Sequence, residues 1–157
     1  MKILTSHCFY NHGYEEFSLQ ILEELRVSGP KKCKYESYLL KANLIRDKDI
    51  LHTNHLLNHV IKKSSSNRLK TEAYNFKFTF NKRRNIGDIN RALKLSPNYR
   101  YAHLNYIKYY VDKKNWVRAL KRIEISSKIF KNDAEIYFFT WSSLLESQQV
   151  WRSNKFI

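Results

Sequence analysis

An all-α fold of antiparallel helix pairs, stacked one on the next, is predicted by three features of this 157-residue sequence. Glycine and proline are scarce, three and two residues, while 43% of residues are hydrophobic and 15% aromatic. So few turn formers leave no material for many short strands, and they suit long helices joined by polar corners. Second, large and small residues recur with a spacing of thirty-four, the mark of a repeat in which each unit buries its apolar face on its neighbour. Third, within one recurrence apolar residues fall three and four apart on both sides of a short polar break. At this length a single domain over 1–157 is expected, with enough apolar residues to bury a core despite a net charge of +15.

The recurrence joins Leu69, Ala73, Phe76, Ile89 and Ala92 to His103, Ile107, Tyr110, Ile123 and Ser126, and extends from about residue 32 to residue 145. It defines units near 32–65, 66–99 and 100–133, with partial repeats over 1–30 and 134–157. In the first, Tyr14 to Leu25 reads as a helix stopped at Gly29-Pro30. In the unit at 32–65 the second helix carries His55, Asn58 and His59 at positions the recurrence assigns to packing. In the unit at 66–99, Gly87 inside a helix would cost about 1 kcal/mol, so the second helix is expected to start between Arg84 and Asp88. The unit at 100–133 is the clearest. Leu104, Ile107 and Val111 form one stripe, Lys113-Lys114-Asn115 breaks it, and Trp116, Ala119, Leu120, Ile123, Ser127 and Phe130 form another. A corner that short forces the helices antiparallel, and Ala119, Ser126 and Ser127 are small enough to let them approach. The last partial repeat supplies a first helix and a fragment with Val150 and Trp151. Neither end carries a polar cap of the kind a stack of repeats needs, so the ends are expected to pack on a second copy of the chain or on a partner.

Ala92-Leu93-Lys94-Leu95-Ser96-Pro97-Asn98-Tyr99, followed by Ala102 and Leu104, resembles the repeat junction of the tetratricopeptide repeat family, and Trp116-Val117-Arg118-Ala119-Leu120 resembles its aromatic-x-x-Ala start of the second helix. His12-Gly13-Tyr14-Glu15-Glu16-Phe17 is similar to the same corner, with Phe17 in place of alanine. The resemblance implies a right-handed solenoid with a concave groove lined by the first helix of each unit. Carried onto this chain, the groove is lined by Asn67, Lys70, Tyr74 and Lys77, then Tyr101, Leu104 and Lys108, then Glu135, Phe138 and Ser142. The Lys and Asn clamp with which co-chaperones of the family grip an acidic C-terminus is incomplete. Lys70 holds one place, but Tyr74, Leu104 and Glu135 stand where Asn or a cation would be.

Several chemistries have little to draw on. Gly13, Gly29 and Gly87 stand too far apart for a phosphate-cradling loop. Cys8 and Cys33 form no CxxC pair and are too few for a disulfide framework, Ile3-Leu4 is too short an apolar run for a signal peptide, and no stretch approaches a membrane span. A cytoplasmic location follows as the expectation. Carboxylate pairs such as Glu15-Glu16 or Glu23-Glu24 fall on helix surfaces. His55 and His59, with His52 one turn earlier, share the spacing of a metal-binding helix face, but no Cys, Asp or Glu at ligand spacing completes a set. The expectation is no enzyme, no cofactor and no metal.

Charge is more informative. Residues 64–131 hold 17 Lys and Arg against 4 Asp and Glu, whereas both ends are slightly acidic. The cations gather at corners, Lys82, Arg83 and Arg84, then Lys113 and Lys114, and on the following helix at Arg118, Lys121 and Arg122. Stacked repeats should align the corners into one basic edge. Two surfaces are thus expected: a groove for a segment of another protein, with aromatic anchors beside lysines, and a basic patch for an acidic protein or, as the alternative reading, RNA or another nucleic acid. An adaptor, an assembly factor or a small chaperone would use the first.

Overall fold

A computed structural model describes Ser6, residues 10–81 and residues 83–139. Among these residues there is no strand, and seven helices are followed by further helical residues at 134–139. The chain divides into two compact units, Met1–Phe80 and Asn81–Ile157, and the division falls in the corner of the unit expected over 66–99.

The first unit holds α1 (Glu15–Ser28), α2 (Lys31–Ile45), α3 (Ile50–Lys63) and α4 (Asn67–Phe80). Each packs on the next, and α2 also touches α4. Local chemistry sets the ends. The Gly29 N–H donates to the Leu25 carbonyl, and a Cβ on Gly29 would run into that same oxygen, so the α1 stop needs glycine. The Asp49 carboxylate accepts the His52 N–H at 2.9 Å and caps α3. At the start of α4 the Ser64 hydroxyl accepts from Ser66 N–H at 3.1 Å. Lys48, just past α2, donates to Glu15 at the start of α1 at 2.7 Å, which sets those two helices antiparallel. Arg68 at the start of α4 reaches Glu36 near the start of α2 at 2.5 Å, which sets those two parallel. The core is built from Tyr38, Ala42, Leu56, Leu57, Val60, Leu69 and Ala73, with Tyr35, Leu39, Ile61 and Phe76 around them.

The second unit holds α5 (Ile86–Leu95), α6 (Arg100–Asp112) and α7 (Trp116–Ile129). α5 starts within the expected window, and Gly87 lies in its first turn with its N–H donated to the Asn85 side chain at 2.9 Å. The corner between α6 and α7 is made by Lys114 in the left-handed region at φ 53° and by Asn115, whose side chain accepts the Arg118 N–H at 3.2 Å. Leu104, Ile107, Ile123 and Ile136 form a core flanked by Val111, Leu120, Phe130 and Phe139. Ala119 and Ser126 are fully enclosed as expected, but Ser127 is half-buried and donates to the Glu124 carbonyl, so it takes no part in the close approach.

Of the positions joined by a spacing of thirty-four, Leu69 and His103, Ala73 and Ile107, Ile89 and Ile123, and Ala92 and Ser126 are buried in both, whereas Phe76 is half-buried where Tyr110 is buried. That spacing fails in α3. His55 is exposed, Asn58 and His59 are half-buried, and the buried stripe is Thr53, Leu56, Leu57 and Val60. The corner before α3 has four residues, 46–49, and the one before α5 has five, 81–85. α3 and α5 start thirty-six residues apart, at Ile50 and Ile86, and at that spacing the buried Thr53, Leu56 and Leu57 stand opposite the buried Ile89, Ala92 and Leu93.

Leu57 is fully buried and Leu51 is 83% exposed on the same helix. Leu57→Ala is expected to lower the unfolding free energy by about 2–5 kcal/mol, and Leu51→Ala to change it by about 0.5 kcal/mol or less. Urea unfolding followed by circular dichroism checks the contrast.

Candidate functional site

The residues expected to line a groove divide between the two units. In the first unit Asn67 opens α4 and is exposed, while Lys70, Tyr74 and Lys77 are half-buried along it, and Lys77 Nζ donates to Asn58 Oδ1 at 3.0 Å. In the second unit Tyr101 and Lys108 are exposed on α6, and Phe138 is exposed on the helical residues 134–139. Leu104 corrects the expectation: it is 6% exposed and belongs to the core with Ile107 and Ile136, because its stripe on α6 faces α7. Ser142 lies outside the described residues, as do Val150 and Trp151.

Tyr101 and Phe138 are 57% and 66% exposed, and one guanidinium ties their segments together. Arg100 Nε donates to Asp133 Oδ2 at 2.5 Å and Arg100 Nη2 to Glu135 Oε2 at 3.0 Å. The Asp133 carboxyl is held below its usual range by the Arg100 hydrogen bonds, and its Oδ1 also accepts the Glu135 N–H at 3.1 Å, opening the helical residues behind it. Arg100 itself also lies over the Tyr101 ring, 5.8 Å from its centroid. The outcome is two exposed aromatic side chains, one on each of two segments whose starts are joined by a charge-assisted clamp.

The basic residues separate into two settings. Arg83, Arg84 and Lys113 line one cleft of about 420 Å³ together with Tyr109 and Asp112; Lys82 lies outside the described residues. Lys114 and Lys121 are exposed. Arg118 and Arg122 are laid across the tyrosines of α6. Arg122 sits 4.4 Å from the Tyr106 ring centroid, and Arg118 sits 5.3 Å from that of Tyr110 while donating to its hydroxyl at 3.0 Å. The sequence signal for this pairing was the i, i+4 spacing of both the tyrosines and the arginines.

The histidines of α3 meet in the first unit. His52, His55 and His59 border a cleft of about 350 Å³ whose other wall is Glu23, Arg26, Tyr38 and Lys41. His59 rests on the Tyr38 ring at 4.6 Å, and burial followed by the neighbouring positive charges lowers its pKa. The Arg26 hydrogen bond, together with Lys41, holds Glu23 down at about 2. Its carboxylate is therefore committed to those two cations. Among the described residues no three His, Cys, Asp or Glu side chains are grouped to hold a metal; His7 and Cys8 lie outside them. Cys33 is a half-buried free thiol.

One polar cluster was not singled out in the sequence. His103 is 1% exposed, its Nδ1 lies 2.7 Å from Ser126 Oγ, and its Nε2 lies 2.7 Å from the Pro97 carbonyl. Because a carbonyl only accepts, Nε2 carries the proton and donates to Pro97. The Ser126 hydroxyl sits 2.7 Å from the Arg122 carbonyl as well. Ser126 is fully enclosed, so this serine and histidine have no access to a substrate and act as a polar bolt between the repeat junction, α6 and α7. A histidine standing at the recurrence position of buried Leu69 was the available signal.

No family model, no curated protein and no solved structure matches this chain.

Burial, with a contribution from Arg122, lowers the His103 pKa from its ordinary 6.5. At neutral pH the imidazole is uncharged in both the folded and the unfolded chain, and its contribution is intact. As pH falls through 6.5 the unfolded chain takes up a proton that the folded chain resists, so stability declines until the lower folded pKa is reached. His59 acts in the same direction. His103→Gln is expected to cost about 1–3 kcal/mol at neutral pH and to give a shallower loss of stability on acidification to about pH 5.5 than the wild type. Urea titrations across that range measure both.

Proposed function

We propose that the chain is a non-enzymatic helical repeat protein of tetratricopeptide type, a right-handed solenoid of helix pairs, that holds a segment of another protein on the faces of its first helices. The observation that carries this reading is the exposed pair Tyr101 and Phe138, fixed by Arg100 to Asp133 and Glu135. Aromatic side chains lose little freedom on binding and dominate the energetics of small interfaces. Lys108, exposed two turns along α6 from Tyr101, supplies a cation further along the same helix. A partner segment of an apolar residue flanked by Asp or Glu matches that pattern.

The repeat reading draws further support from two contacts of the same kind. Arg68 reaches Glu36, and Arg100 reaches Asp133, each joining the start of one first helix to the start of the next within its own unit. Successive parallel first helices are what a groove requires. An adaptor, an assembly factor or a small chaperone fits such a surface, and a cytoplasmic location suits a chain with a free thiol at Cys33. Among the described residues no helix is long and apolar enough to cross a membrane.

Selection of a random peptide library on the full chain tests the reading. Binders are expected to share an apolar residue next to Asp or Glu. Tyr101→Ala with Phe138→Ala should weaken them by at least about 30-fold, as loss of an anchor worth about 2 kcal/mol or more demands, without lowering the melting temperature. Retained binding by that double variant removes the groove.

A further inference from the structure

Arg83 and Arg84 stand in the corner before α5, and Asp112 and Lys113 close α6. α5 and α6 pack against each other, and Arg84 Nη1 donates to Asp112 Oδ2 at 2.6 Å across that junction. Together with Tyr109 these residues border the cleft of about 420 Å³. Arg84 and Asp112 neutralise each other, so the field of the cleft is set by Arg83 and Lys113, both exposed, with exposed Lys114 beside them. Like charges that border one cleft repel one another. Solubility does not demand this arrangement in a chain already at +15. An anion placed among them relieves the repulsion.

Two features of the cleft separate a nucleic acid from an acidic peptide. Tyr109 is half-buried in the wall, and an aromatic ring in a basic cleft is a surface on which an unpaired base can stack. Asp112 puts a carboxylate among the cations. Beside its bond to Arg84 this carboxylate still accepts from a base amino group or a ribose hydroxyl, whereas a run of Asp and Glu offers no side-chain donor to it. The volume also lies within the span of small-ligand sites, about 300–1,000 Å³.

We propose that this cleft binds single-stranded nucleic acid, with a backbone phosphate at Arg83 and Lys113, and a nucleoside against Tyr109 and the Arg84–Asp112 pair. The site shares no residue with the aromatic face of Tyr101 and Phe138, so either can fail alone.

The experiment is an anisotropy titration of the full chain against a labelled single-stranded RNA of about ten nucleotides at about 50 mM and about 200 mM salt. Micromolar binding is expected at the lower salt. Arg83→Glu with Lys113→Glu should raise Kd at least about tenfold at an unchanged melting temperature. It should also flatten the slope of log K against log salt by about 0.7, the share of one phosphate contact on a single strand. Tyr109→Leu should raise Kd about fivefold or more with the slope kept. Polyglutamate is expected to displace the RNA only at much higher concentration. The proposal is overturned if the charge-reversed chain binds as tightly as the wild type, or if polyglutamate competes on equal terms, which would assign the cleft to an acidic protein. Should Tyr109→Leu lower the melting temperature, the charge reversal and the competition still decide the matter.

Discussion

Ala42, Ala73, Ala92, Ala102 and Ala119 have no accessible surface, and the structure rests on the closeness of helices that these small side chains permit. With only a methyl at the crossing, two backbones approach until the larger residues on either side interlock. In the second unit Ile107 and Ile123 pack together with Leu104 and Ile136, and Ser126 is as fully enclosed as Ala102 and Ala119. A serine there would cost stability if its hydroxyl were unpaired. Its one hydroxyl hydrogen has two acceptors within reach, His103 Nδ1 and the Arg122 carbonyl, so it is paired with either. The buried polar pair is thus a consequence of close packing by a residue slightly more polar than alanine, and its acid sensitivity follows from the same enclosure.

Close packing of the inward stripes decides what is left outside. α6 directs Leu104 and Ile107 inward, which turns Tyr101 and Lys108 to the surface and lays Tyr106 and Tyr110 under the arginines of α7. Those guanidiniums keep their charge while covering aromatic surface, so a helix that reads as merely basic is also a packed one. The corner cations Arg83, Arg84 and Lys113 instead border a cleft together with Tyr109. Arg83 and Lys113 are held near each other by the junction of α5 with α6, at the edge of a cleft, and this makes the corner electrostatically different from the helix face eight residues away.

Much of this was legible in the sequence, and the failures have physical causes. The corner at Lys113-Lys114-Asn115, the start of α5 and the stripes of the unit at 100–133 were readable because apolar spacing and polar breaks agree there. Leu104 was assigned to a surface by its place in a repeat pattern, but the local stripe with Ile107 and Ile123 outweighs that place. His55 was assigned to packing by counting, although Leu56, Leu57 and Val60 offered a better apolar stripe one residue on. In both cases local hydrophobicity won over position in the recurrence. The clustering of Arg83, Arg84 and Lys113 was anticipated from their shared location in corners. The tyrosine that joins them was not, since Tyr109 carries no distinguishing pattern in the sequence.

The one-residue difference between the corners at 46–49 and 81–85 has a wider meaning. The first helices match at a spacing of thirty-four where Ser37 with Thr71 and Leu44 with Phe78 are buried, while the buried stripes of α3 and α5 match at thirty-six. Each helix therefore finds its own rotation from the residues it buries and does not inherit it from the chain before it. Length changes in this protein should accumulate in the corners, where an added residue is absorbed as loop. One added inside α6 would turn every later side chain by about 100° and exchange its inner and outer faces. A change in corner length would move the charges carried there while leaving the buried stripes of the flanking helices in place.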